Sequence, residues 1–259
     1  MRQRTGHTLS HEPQPAESAA PAVSHAEPAD RRALTIRILN LWLNLTLLYL
    51  LAGPLLTVVF GAPQDTVDEL PLGWFIVYLV PALAVLALVA RLWRLNQLPT
   101  DLVQPKRALT LLTLGGWRGQ AMLFLVGVTL VTAILLLVAS PADGTKVIVN
   151  GLVRAAALQL LIAGYVKTML DRLGADPRRS FWFGVGMFAL TYAADTAIQA
   201  AVRQNASLDV LPIAFAAGAL LGLLLGLASL SLRDRTGSLA PAVLLQLFML
   251  TILPAFFDS

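Results

Sequence analysis

Seven stretches of about twenty residues, almost free of charge, recur along this chain, near 36–60, 72–92, 120–139, 147–167, 181–201, 211–231 and 239–257. A helix needs about 20 apolar residues to cross the hydrocarbon of a bilayer, and inside it every backbone polar group must be paired within the segment. The expected fold is therefore all-α, a polytopic transmembrane helical bundle of about seven spans. Composition agrees: 13% of residues are charged and the mean hydropathy is +0.71, where a soluble domain carries about 25% charged residues. Three regions are expected. Residues 1–30 form a disordered tail rich in Pro, Ala, Ser and His, 31–146 hold the first three spans and a long connection, and 147–259 hold a core of four spans.

Loop charges orient the bundle, because Arg and Lys are retained on the cytoplasmic side. Arg31, Arg32 and Arg37 precede the first span, and Arg91, Arg94, Lys106, Arg107 and Arg118 fill the second connection. Lys167, Arg172, Arg178 and Arg179 follow the fourth span, and Arg233 and Arg235 lie in a short basic turn after the sixth. All fall on one side if seven helices alternate. The expectation is a plasma-membrane protein, in a bacterial inner membrane, with its N-terminus cytoplasmic. The sequence pI near 9.8 then reflects topology and not a nucleic-acid partner. The bilayer itself is the expected partner, together with a membrane protein or peptide. The segment Arg107–Gln120 either lies on the membrane surface or simply leads into the third span.

Absences narrow the chemistry. Cysteine is missing, so there is no thiol nucleophile or cysteine metal site. His7, His11 and His25 fit no helix face, and beyond Glu69 there is neither Glu nor His. No metal site and no cofactor is expected.

Against this apolar background a few residues stand out. Arg154 and Asp195 lie at matching depth in the fourth and fifth spans, where a lone charge costs at least ~2.5 kcal/mol, so they are expected to pair. Thr191, Asp195 and Gln199 extend one polar stripe. Gly218, Gly222 and Gly226 recur every four residues and line one helix face, suited to close packing inside the bundle or to a homodimer seam. Gln159, Tyr192 and Gln246 fall near mid-depth of their spans, either as a neutral hydrogen-bonded cluster or as isolated groups bonded to nearby backbone.

The closing pattern is a Gly-rich helix, a basic turn with TGSL at Thr236–Leu239, and a helix with a polar residue at mid-depth. With LQLLIAGYVKTML at Leu158–Leu170 and FALTY at Phe188–Tyr192 upstream, it resembles the CPBP family of intramembrane proteases, which includes the CAAX prenyl endopeptidases and Abi proteins. The resemblance covers about residues 153–257 and implies a CPBP-like four-helix core. It does not carry the catalytic residues. The family's glutamate pair matches Leu158 and Gln159, its arginine Ala163, its histidines Tyr192 and Gln246, and its further polar residue Leu250. Only Phe188 and Gly164 are retained. Such enzymes use a glutamate to activate water and histidines to stabilise the oxyanion, which takes a titratable base and strong donors. The expected function is thus a non-catalytic member, a pseudoenzyme with no catalytic residues that binds or presents a membrane partner. Two other readings stay open: an intramembrane endopeptidase with a relocated site using Asp195 as base, and a small-solute transporter built on Arg154 and Asp195.

Overall fold

The computed structural model describes residues 28–60, 72–103, 117–139, 141–203 and 209–257. Among them every regular element is helical. They are α1 (Pro28–Phe60), α2 (Leu72–Leu95), a 3₁₀ turn (Thr100–Leu102), α3 (Trp117–Ala139), α4 (Pro141–Leu158), a π-helical segment (Gln159–Val166), α5 (Lys167–Arg172), α6 (Pro177–Arg203), α7 (Leu211–Thr236) and α8 (Ala240–Phe257). The stretches Asp30–Leu56, Ile148–Arg172, Pro177–Ala201 and Leu211–Thr236 are long and apolar enough to cross a membrane. The helices present Phe124, Leu135, Val138, Ile213 and Leu220 to the outside while Gln159, Thr191, Ser229 and Gln246 are buried. Apolar residues out and polar residues in is the arrangement a hydrocarbon solvent selects, and it marks a membrane protein.

Helix limits depart from the sequence expectation in two instructive places. The tail expected over 1–30 gives way to helix at Pro28, a residue whose missing N–H and fixed φ suit a first helical turn; the residues before Pro28 lie outside the described ones. After the sixth span, Arg233, Asp234 and Arg235 are not a turn but the last helical turn of α7, which Gly237 ends in the left-handed region (φ 64°) with its N–H donating to the Arg233 carbonyl. A residue with a Cβ would be strained there. Of the Arg107–Gln120 segment, residues 107–116 lie outside the described residues, and Trp117–Gln120 form the first turn of α3.

One rod sits at the centre. From Leu161 through Val166 each residue is buried, as expected of a helix that is apolar all round, and Lys167 and Thr168 are buried after them. The π segment lies within it, and each π turn takes in one extra residue. Gly164 admits neighbours here: a Cβ on it would stand 2.8 Å from the Trp93 ring and 3.0 Å from Leu239. Around the rod, α6 and α7 form the closest pair. A Cβ at Gly222 would lie 2.5 Å from the Phe188 carbonyl oxygen, and one at Gly226 2.9 Å from Phe188 Cβ, while Gly218 faces the Tyr192 backbone and Thr196. The glycine seam is therefore filled by α6 and packs the bundle internally.

The ends of α2, α5 and α7 and the starts of α6 and α8 share one end of the bundle. Arg172 donates through both Nη atoms to the carbonyls of Asn96 and Gln97, each at 2.8 Å, and the Leu239 N–H donates to the Leu102 carbonyl at 2.9 Å. Arg91, Arg94, Arg178, Arg179 and Arg235 are exposed near that end.

Candidate functional site: a polar column through the core

Each rod of the 147–259 region contributes one side chain to a closed polar cluster. Gln159, at the first π position, donates from Nε2 to Ser229 Oγ of α7 at 2.7 Å and to Gln246 Oε1 of α8 at 2.8 Å. Gln246 donates in turn from its own Nε2 to the Tyr192 hydroxyl of α6. Gln159, Ser229 and Gln246 have no exposure at all, and Tyr192 very little. The cluster is uncharged. Its one orphan is Gln159 Oε1, a buried acceptor with no hydrogen-bond partner among the described residues.

The other positions matched to the family's catalytic groups are apolar. Leu158 and Ala163 are buried in the core beside Gln159, and Leu250 lies on α8 with its side chain outside the described residues. Of the six positions matched to the family's catalytic groups, the structure thus brings three together and leaves Leu158 and Ala163 as packing. Ser229 was not singled out in the sequence. The only signal for it was its place three residues after Gly226, on the small-residue side of α7.

A second group lies one or two turns nearer the other end of the bundle. Arg154 Nη2 donates to Asp195 Oδ2 at 2.6 Å, and their side chains are 19% and 17% exposed. Arg154 Nε donates to the Tyr49 hydroxyl, and the guanidinium carbon lies 5.2 Å from the centre of the Tyr49 ring, close enough for cation–π attraction. Tyr49 comes from α1, outside the 147–259 region, and nothing in its local sequence distinguished it. Tyr192 lies within electrostatic reach of Arg154, Asp195 and Tyr49, so the two groups adjoin. Thr191, on the same stripe, is buried with its hydroxyl unpartnered among the described residues.

A third group closes the basic end. Lys167 Nζ lies 3.1 Å from both Asp171 Oδ2 and Asp234 Oδ1. Arg233 reaches Asp234 Oδ1 at 3.0 Å through Nη1 and donates to Thr168 Oγ1 at 2.8 Å through Nη2. Ser180 donates to Asp171 Oδ1 at 2.7 Å. Lys167 and Arg233, read from sequence as loop charges, are buried. They knot α5, α6 and α7 together. The Lys167–Asp171 spacing of four residues was the legible part of this.

Compared with protein-family models, with curated proteins and with solved structures, the chain has no match. Among the described residues no group of three or more His, Cys, Asp or Glu side chains is placed to hold a metal ion. The geometry can do the following chemically. The Gln159–Gln246–Tyr192–Ser229 cluster can donate and accept hydrogen bonds but holds no carboxylate or imidazole to exchange a proton near neutral pH. The Arg154–Asp195 pair is charged, partly accessible and net neutral.

Proposed function

We propose that this chain is a non-catalytic, multi-pass membrane protein of CPBP-like architecture that holds a membrane-embedded partner against its interior polar cluster. One observation carries the reading. The positions that the resemblance matches to a catalytic glutamate and two histidines are Gln159, Tyr192 and Gln246, and their side chains meet in a single hydrogen-bonded network. A shared site whose chemistry has become neutral retains recognition and loses hydrolysis. General acid and base catalysis contributes about 10²–10⁴ in rate and needs a group that can exchange a proton beside the reacting water. Gln159 Oε1 is a free acceptor sealed inside the closed bundle, so a partner's N–H or O–H bonds to it when α6, α7 or α8 moves aside. An orphaned buried carbonyl costs about 1–3 kcal/mol, which such a bond would recover.

In this reading the seven helical rods each cross the plasma membrane, a bacterial inner membrane, and the end rich in exposed arginine is cytoplasmic, as is the N-terminus. Asn205→Cys should then label from outside in intact cells and Ala175→Cys only after permeabilisation.

The deciding experiment is to reconstitute the protein in lipid and add prenylated peptides and single-span peptides, following both binding and cleavage. Binding without turnover is expected, and Gln159→Leu, Tyr192→Phe and Gln246→Leu should weaken it while the bundle stays folded. Cleavage above background that disappears with Asp195→Asn would overturn the proposal and identify a relocated protease site.

A further inference from the structure

The Arg154–Asp195 pair is built as a structural ion pair and yet leaves half of its bonding capacity unused. Asp195 bonds through Oδ2 alone, and Arg154 through Nε and Nη2. Asp195 Oδ1 and Arg154 Nη1 have no hydrogen-bond partner among the described residues. Both side chains are partly accessible, about six residues inside the ends of the apolar stretches that start at Ile148 and finish at Ala201, which is a depth of roughly 9 Å at 1.5 Å per residue. Bare charged edges at that depth cannot face hydrocarbon without a large cost.

Further polar groups lead toward the pair. Asn150 precedes Arg154 by four residues on α4 and Gln199 follows Asp195 by four on α6, so each lies on the same helix face as its charged neighbour, one turn nearer the bundle end. Asn150 Oδ1 is buried and without a partner among the described residues. Beyond the pair the column ends blind, because Gln159, Gln246 and Ser229 are sealed from solvent. Polar groups that lead inward and stop at a sealed cluster suit a bound ligand better than a passage.

We propose that the Arg154–Asp195 pair, with Asn150, binds a small zwitterion, a group carrying a primary ammonium and an acidic oxyanion a few atoms apart. The oxyanion would accept from Arg154 Nη1. The ammonium would donate to Asp195 Oδ1, with Asn150 Oδ1 as a second acceptor one turn away. A net-neutral ligand entering a net-neutral site carries no net charge into the membrane, and each of its charges meets its opposite. A lone cation or anion would satisfy one edge and strand the other. Such chemistry has two sources, the headgroup of phosphatidylethanolamine and a free amino acid. The site is separate from the Gln159 cluster, so it does not depend on the partner-binding reading.

The test uses the full chain in nanodiscs. In one arm, equal mixtures of phosphatidylethanolamine and phosphatidylcholine are offered, and the lipids retained on the protein are counted by native mass spectrometry. Trimethylated choline has no N–H to donate, so a preference of about tenfold or more for ethanolamine is expected, the size of one lost charge-assisted hydrogen bond. In the other arm, glycine is titrated in nanodiscs free of ethanolamine lipid, and a rise in unfolding temperature is read. Asn150→Leu leaves the ion pair intact, and Arg154→Leu with Asp195→Leu replaces it by an apolar pair; both should abolish whichever signal the parent protein shows. A signal in the first arm alone names the lipid as source, and one in the second names a free amino acid. No signal in either arm, or a signal equal in the parent and both variants, overturns the proposal. Peptide binding that persists alongside that outcome would leave the Gln159 cluster's role standing.

Discussion

Breaking the Arg154–Asp195 pair from each side should have unequal consequences, and the structure says which side is worse. At a separation of about 4 Å between charge centres and an effective dielectric near 20, two unit charges attract by about 4 kcal/mol. Most of that is offset by the desolvation both ions already bear, so the informative quantity is the cost of stranding one of them. Arg154→Leu strands Asp195, which has no other polar partner among the described residues; the cost is about 3–4 kcal/mol. Asp195→Asn strands Arg154, but the guanidinium keeps the Tyr49 hydroxyl and ring, and Asn still offers an acceptor oxygen. Its cost should be nearer 2 kcal/mol. With both residues changed to Leu no charge is left to strand, and the double variant should be more stable than the sum of Arg154→Leu and Asp195→Leu by about 2 kcal/mol or more. Reversible unfolding in mixed lipid–detergent micelles, applied to the full double-mutant cycle, measures these values. Additivity within about 0.5 kcal/mol would show that the two side chains do not interact energetically, and the argument from depth and charge would be wrong.

Other consequences follow from the same geometry. Gln246→Leu removes the bond from Gln159 and the bond to Tyr192 together, and should cost about 1–2 kcal/mol in the same unfolding assay, whereas Tyr192→Phe, which removes one, should cost about half that. Gly222→Ala puts a methyl 2.5 Å from the Phe188 carbonyl oxygen and must push α6 and α7 apart, for a loss of about 1–3 kcal/mol; Gly186→Ala, where nothing lies within 4 Å, should be neutral or stabilising by up to about 1 kcal/mol. Arg233→Leu leaves the buried Lys167 alone to balance Asp171 and Asp234 at the bundle end and strips Thr168 of its partner, so it should lower the folded yield, while Arg235→Leu, on the exposed side of the same turn, should change stability by less than about 0.5 kcal/mol. Equal effects of Arg233 and Arg235 would mean that the network contributes nothing beyond its charge.

Much of the architecture is legible in one dimension because the bilayer imposes it locally. A run of apolar residues long enough to span must be helical whatever its neighbours do, so the helices over Asp30–Leu56 and Leu211–Thr236 needed no knowledge of tertiary contacts. The candidate residues were legible for a related reason. Polar groups in an apolar run are rare and expensive, so Arg154, Gln159, Asp195 and Gln246 stood out on their own helices. Their partners did not. Ser229 and Tyr49 are ordinary residues in sequence and acquire a role only because packing brings α7 against the central rod and α1 against Arg154. Nor does any periodicity announce the π segment at Gln159–Val166, since its extra residue per turn is accommodated by neighbours such as Trp93 closing on Gly164. The sequence by itself determined which segments are helical, which of their residues cannot face lipid, and that Glu- or His-based catalysis is closed to the 147–259 region. Tertiary structure alone decided which polar side chain meets which, and that Lys167 and Arg233 are buried and not loop charges, because side-chain hydrogen-bond and ion-pair partners lie up to 105 residues apart and are chosen by how the helices pack.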